Sequence, residues 1–229
     1  LTVLQAHYSQ LHEEALRQIA REGFSYDSAL KDSMDSRRGL TLLLRPDEEV
    51  TTNIGRFIAA VKTIDPDQYY YPPTDIHVTV MPIISCYPGF STESLDLPRY
   101  ISLIRRALDP VRKIPIRFQG VMASPSCLLI CGFPINGELE HCRNNLRAAF
   151  SSSRLEQSLD KRYTLITAHS TVVRFQQEVN RPERILALLD KYKDHFFGEQ
   201  VFDQVEFVYN DWYQRNKMVK TLQFFPLKP

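Results

Sequence analysis

The sequence predicts an α+β protein: two pseudo-twofold-related lobes of mainly antiparallel sheet with outer helices, and a central cleft carrying two His-x-Thr strands. Three observations lead there. The pattern His-x-Thr-apolar is written twice, as His77-Val78-Thr79-Val80 and His169-Ser170-Thr171-Val172, each within a β-rich stretch. The same order of elements (strand, helix, His strand, helix, strand) is read around each copy, over residues of about 39–122 and 125–209. Alternating strands and helices ordinarily suggest a parallel, doubly wound sheet, but no Gly-rich phosphate loop follows any strand, so two related lobes fit better.

Residues 1–23 read as an amphipathic helix, with Leu4, His7, Tyr8, Leu11, Ala15 and Ile19 near one stripe and Gly23 closing it. Together with the polar stretch 24–38 they form an N-terminal helical extension, and 39–229 form a single bilobal domain. Gly39–Leu44 is a buried strand stopped at Arg45-Pro46. Asp47, Glu48 and Glu49 open a helix through Ile64, because negative charge complements the helix start. Pro66 and Tyr69-Tyr70-Tyr71-Pro72-Pro73 break it, and Ile76–Ile83 is the first His-x-Thr strand. Residues 84–98, with Pro88, Gly89 and Pro98, read as a long loop, Tyr100–Leu108 as a helix and Ile114–Val121 as a strand. The second half repeats the order. Cys127–Phe133 is a strand, Glu138–Phe150 a helix, Tyr163–Phe175 the second His-x-Thr strand, Glu183–Tyr192 a helix and Val201–Tyr209 a strand, with Met218–Pro226 adding a last one.

A chain of 229 residues that is 43% apolar can bury a substantial core. A net charge of +1 gives no broad footprint for duplex DNA or an anionic membrane, so a short nucleic-acid end or a small anion is the easier partner. No apolar run approaches a membrane span, and the charged helix at 1–23 is unlike a secretion signal. Cys86, Cys127, Cys131 and Cys142 make no disulfide framework: Cys127 and Cys131 share a strand face roughly 13 Å apart. They lack paired zinc spacing too, so reduced thiols in a cytoplasmic monomer, with no metal and no cofactor, are expected.

The chemistry lies in the repeated motif. Side chains at i and i+2 of a strand share a face, so each copy presents an imidazole and a hydroxyl together. Six His and the Thr content would place Thr two positions after His in roughly 0.3 cases by chance, and the flanks of His7, His12, His141 and His195 lack it. Two imidazoles across a pseudo-twofold axis supply a base for an attacking oxygen and an acid for the leaving oxygen of a phosphodiester. Thr79 and Thr171 can donate to the non-bridging oxygens. Asp75 shares a face with His77 and either raises its pKa or stands as a solvated carboxylate, while Thr167 holds the matching place beside His169. Tyr69, Tyr70, Tyr71, Tyr87, Phe90, Trp212 and Tyr213 could stack a nucleobase, although aromatics at this density more often pack core and loops. Arg99, Arg105, Arg106, Arg112 and Lys113 read as a solvated helix face.

These residues resemble the 2H phosphoesterase superfamily, marked by two His-x-Thr/Ser-x motifs, and its bacterial 2',5'-RNA ligase-like branch. The resemblance covers about residues 39–227. It implies metal-independent hydrolysis or reversible ligation of 2',5'-linked or cyclic phosphodiesters of nucleotides or RNA ends. His77 and His169 would be the catalytic pair, with Thr79 and Thr171 on the phosphate. Arg174 matches an Arg that often follows the second motif; from the aromatic set, and not from the resemblance, Tyr71, Trp212 and Tyr213 are the further substrate contacts expected. Five positions from His169, Arg174 would face away on a regular strand, so a bulge or strand end is required to bring it round. The chain departs from the branch at Met81-Pro82, in its long loop 84–98 and in the helix at 1–23. A non-catalytic module binding a nucleotide or RNA end in the same cleft is the alternative.

Overall fold

Two antiparallel sheets carry the architecture of the computed structural model, which describes residues 2–161 and 163–229. Helix α1 (Val3–Glu22) is capped by the Thr2 hydroxyl, which accepts from the Gln5 amide, and ends at Gly23, whose φ of 77° is easy only for glycine. Leu1 lies outside the described residues. Strand β1 (Arg37–Leu44) is followed by α2 (Glu48–Ile64), whose cap Asp47 accepts from the Val50 amide at 2.9 Å. Then come β2 (Tyr69–Tyr70), β3 (Val78–Pro88), α3 (Leu97–Leu108), β4 (Ile114–Ser124), β5 (Cys127–Pro134), α4 (Glu138–Ser151) and β6 (Ser170–Arg174). The chain finishes through α5 (Pro182–Tyr192), β7 (Phe196–Phe202), β8 (Gln204–Asp211) and β9 (Lys220–Pro226).

One sheet runs β3-β1-β8-β9 and the other β2-β6-β5-β4-β7. The chain order inside them is crossed. β1 and β3 belong to the first sheet and β5 and β6 to the second, but β4 joins β5 in the second sheet while β8 joins β1 in the first, and the helices cross as well, α2 packing on β7 and α4 against α3 and β3. Each half of the sequence thus lends its last strand to the other half's sheet. The larger apolar core, including Leu42, Phe57, Ile104, Ile130, Phe150 and Phe197, runs beneath both sheets, and a smaller cluster of Tyr8, Met122, Cys127, Leu129 and Cys131 lies under α1.

Several sequence expectations are corrected. The span read as one strand over 201–209 is two, β7 and β8, parted at Asp203 because the chain crosses between the sheets there. β3 runs on to Pro88 rather than ending at Ile83, since Arg37 and Arg38 of β1 lie opposite Pro88 and Tyr87, and this shortens the loop expected over 84–98. The strand expected over 163–175 pairs only from Ser170 to Arg174. Upstream of it the Tyr8 hydroxyl stands in the ladder, donating to the Gly132 carbonyl at 3.1 Å and accepting from the Ala168 amide at 2.9 Å.

Candidate active site

His77 and His169 each sit one residue before a strand, and the strand start aims the motif into the gap between the sheets. One cavity of about 290 Å³ there is lined by every residue expected at the site: His77, Thr79, His169, Thr171, Arg174, Tyr71, Trp212 and Tyr213. Its size is near the lower end of small-molecule sites, which run from roughly 300 Å³ upward.

The imidazoles are held from behind through Nδ1. His77 Nδ1 lies 2.7 Å from the Asp75 backbone carbonyl; a carbonyl can only accept, so the proton sits on Nδ1 and Nε2 keeps its lone pair when the ring is neutral. His169 Nδ1 lies 2.9 Å from the Thr167 hydroxyl, which can donate or accept. Among the described residues neither Nε2 has a protein partner, and neither does the hydroxyl of Thr79 or Thr171. Burial holds both rings well below the ordinary histidine range, at about 4. The positive charges of Arg45 and Arg174 and the neighbouring His169 add to this at His77, and Arg143 and Arg174 add to it at His169. The Asp75 carboxylate meets neither reading made of it. It is buried, accepts from the Thr74 hydroxyl and the Asn216 amide, and leaves the contact with His77 to the main-chain carbonyl of the same residue.

A bulge brings Arg174 to the same face as Thr171. Opposite β5, Leu129 meets Thr171 and Leu128 meets Val173, so Val172 is the extra residue and Arg174 comes round beside Cys127. The first motif carries the same irregularity: Leu43 meets Thr79 and Leu42 meets Met81, leaving Val80 extra and placing Pro82 where the second motif has Arg174. Pro82 lines the cavity. Arg174 donates from Nε to the Tyr71 hydroxyl at 3.0 Å and lies 5.5 Å from the centre of the Tyr213 ring, while its terminal nitrogens have no protein acceptor among the described residues. Tyr71 and Tyr213 are buried and bear on Arg174, which leaves little of either ring to stack a base. Trp212 is half-buried, with Arg37 5.0 Å from its ring centre. Tyr69 and Tyr70 pack around the start of β2, Tyr87 against Phe90, and Arg99, Arg105, Arg106, Arg112 and Lys113 are exposed away from the cavity.

No protein-family model and no curated protein sequence matches the chain. Solved structures do. The protein TT0787 of Thermus thermophilus superposes with a TM-score of 0.59 at 18% identity, over 83% of this chain and 98% of that one. Escherichia coli LigT, solved with 3'-AMP, superposes with a TM-score of 0.57 at 11% identity, over 84% of this chain and 99% of LigT. A phosphoesterase gives 0.53 at 13% identity, over 84% and 99%. This is the LigT fold. It is an α+β fold of two antiparallel sheets, as the sequence predicted.

Within the LigT fold, two residues that sequence reasoning passed over join the motifs. Arg143 of α4 is 1% exposed and spends its hydrogen bonds on main-chain carbonyls; its Nε donates to that of Val80 at 3.0 Å and its Nη2 to those of Thr79 at 3.0 Å and Thr167 at 2.7 Å. Burial pulls its pKa down to about 10. The signal was available, since Arg143 stands on the apolar stripe of its helix with Leu139, Cys142, Leu146 and Phe150. Ser170, the x of the second motif, donates to the His77 carbonyl at 2.8 Å and ties one motif to the other.

Proposed function

We propose that the protein is a metal-independent phosphodiesterase that hydrolyses, or reversibly ligates, 2',5'-linked or cyclic phosphodiesters of nucleotides or RNA ends. The observation that carries this reading is the set of unpartnered groups lining one cavity: two imidazole Nε2 atoms, two threonine hydroxyls and the terminal nitrogens of Arg174. In-line displacement at phosphorus needs a base at the attacking oxygen and an acid at the leaving one. The neutral ring takes the first role and the protonated ring the second, and the two exchange roles when the reaction reverses. Thr79, Thr171 and Arg174 hold the non-bridging oxygens, where negative charge gathers. Both imidazoles are held through Nδ1, which leaves Nε2 of each to exchange a proton with substrate. LigT has been solved with 3'-AMP, ATP and phosphate, which supports a small nucleotide as ligand.

Turnover of a panel of 2',3'-cyclic nucleotides and 2',5'-linked dinucleotides tests the proposal. His77→Ala and His169→Ala are each expected to lower kcat by about 10²- to 10⁴-fold. EDTA is expected to leave the wild-type rate unchanged, and a rate abolished by EDTA would refute metal independence. Tight nucleotide binding with no product from any member of the panel would leave the cleft as a binding module.

A further inference from the structure

The peptide between Thr167 and Ala168 lies just upstream of β6, where the ladder to β5 has stopped, and side chains from two helices hold it instead. Its carbonyl accepts from Nη2 of Arg143 at 2.7 Å, and its N–H donates to the Tyr8 hydroxyl at 2.9 Å. The same hydroxyl gives its own proton to the Gly132 carbonyl at 3.1 Å. Continued past Ile130 and Ser170, the register of β5 and β6 sets Gly132 opposite Ala168, so the phenol oxygen bridges two facing residues of the interrupted ladder. Gly132 is suited to this place because a Cβ there would run into the Ala168 carbonyl oxygen. Tyr8 is 4% exposed and burial pushes its pKa up, so the hydroxyl keeps the proton it donates.

A peptide group is planar, so holding both its N–H and its C=O fixes the plane and, with it, the residues on either side. On one side stands Thr167, whose hydroxyl lies 2.9 Å from Nδ1 of His169; on the other is Ala168, directly before His169. We propose that Tyr8 is a positioning residue of the candidate active site, clamping the Thr167–Ala168 peptide together with Arg143 and so setting the Thr167 hydroxyl and the imidazole of His169. The effect on rate rests on the phosphodiesterase reading; the placement of the ring does not. The device is one-sided. His77 takes its Nδ1 contact from the Asp75 main chain, and Asp75 is held by bonds to Pro72, Thr74 and Asn216 rather than by α1. Helix α1, which the sequence set apart as an extension, thus completes one half of the site, and Tyr8, Thr167 and His169 line a second cavity between α1 and the chain before β6.

The test reads the two imidazoles separately, by nitrogen-15 NMR of the full chain and of Tyr8→Phe, which keeps the ring and removes the hydroxyl. The ring nitrogens of His169 are expected to move while those of His77 stay in place. On 2',3'-cyclic AMP, kcat is expected to fall by about 10- to 100-fold with KM changed by less than about twofold, the pattern of a misplaced group rather than a lost substrate contact. In a Thr167→Val background, Tyr8→Phe is expected to lower kcat by less than about twofold more, because the two groups act along one chain of contacts. A His169 ring that keeps its signals in Tyr8→Phe overturns the inference. Equal movements at both rings overturn it too, since Tyr8 would then support the fold as a whole. Losses that multiply in the double variant overturn the route through Thr167. If the wild type turns over no phosphodiester, the proposed function fails by itself and the ring signals still decide. Should Tyr8→Phe fail to fold, hydrogen exchange of the wild type decides: the Ala168 amide is expected to be protected by about 100-fold or more although it lies outside a strand, and exchange as fast as in a free peptide overturns the clamp.

Discussion

At neutral pH both cleft imidazoles are uncharged, since burial and nearby guanidinium groups hold them at about 4. A reaction that needs one ring protonated and one neutral therefore finds its free-protein optimum on the acid side. The kcat/KM profile is expected to be bell-shaped with a maximum near pH 4–5 and to fall as pH rises. A bound phosphodiester anion favours the protonated ring, so the kcat profile should lie to the alkaline side of the kcat/KM profile. Coincident optima near 6.5 would show that the rings do not feel their surroundings. Stability carries the same sign: unfolded rings take up protons near 6.5 and folded ones near 4, so the ligand-free protein loses stability as pH falls through that window. The paired imidazoles and hydroxyls were legible in the sequence because their chemistry resides in the residue types and their spacing. The direction taken by Arg174 was not, because a bulge at Val172 is a backbone event that alternation cannot reveal.

Helices were legible for a local reason: Asp47 and Gly23 mark a start and an end by forces that act within a turn of chain. Strand limits were not, because a strand ends where its neighbour does. β3 lasts as long as β1 lies beside it, and β6 is short because Tyr8 from α1 occupies the ladder at Gly132 and Ala168. The element on which the site most depends is α4, through Arg143. Replacing Arg143 with Met keeps the bulk but leaves the carbonyls of Thr79, Val80 and Thr167 without their donor. Urea unfolding of Arg143→Met is expected to show a loss of about 2–4 kcal/mol. A loss under about 0.5 kcal/mol, the range of an ordinary surface substitution, would show that the carbonyls find other donors at no cost.

At the scale of the molecule, the repeated element order was readable but the exchange of strands was not, since nothing in a strand's own pattern says which sheet it will enter. β4 and β8 each cross to the sheet built on the other half, and the core beneath them is continuous. Heat or urea is accordingly expected to unfold both lobes in one transition, with tryptophan fluorescence and far-ultraviolet dichroism giving the same midpoint. Two separated midpoints would mean that the lobes are energetically independent. The exchange also bears on ancestry. A solitary half of this kind would leave a sheet edge bare and a strand with no home, so it could persist only by embracing a twin and trading arms with it; joining two such units head to tail would make that partnership permanent and leave matching places, such as those of Pro82 and Arg174, free to hold different residues.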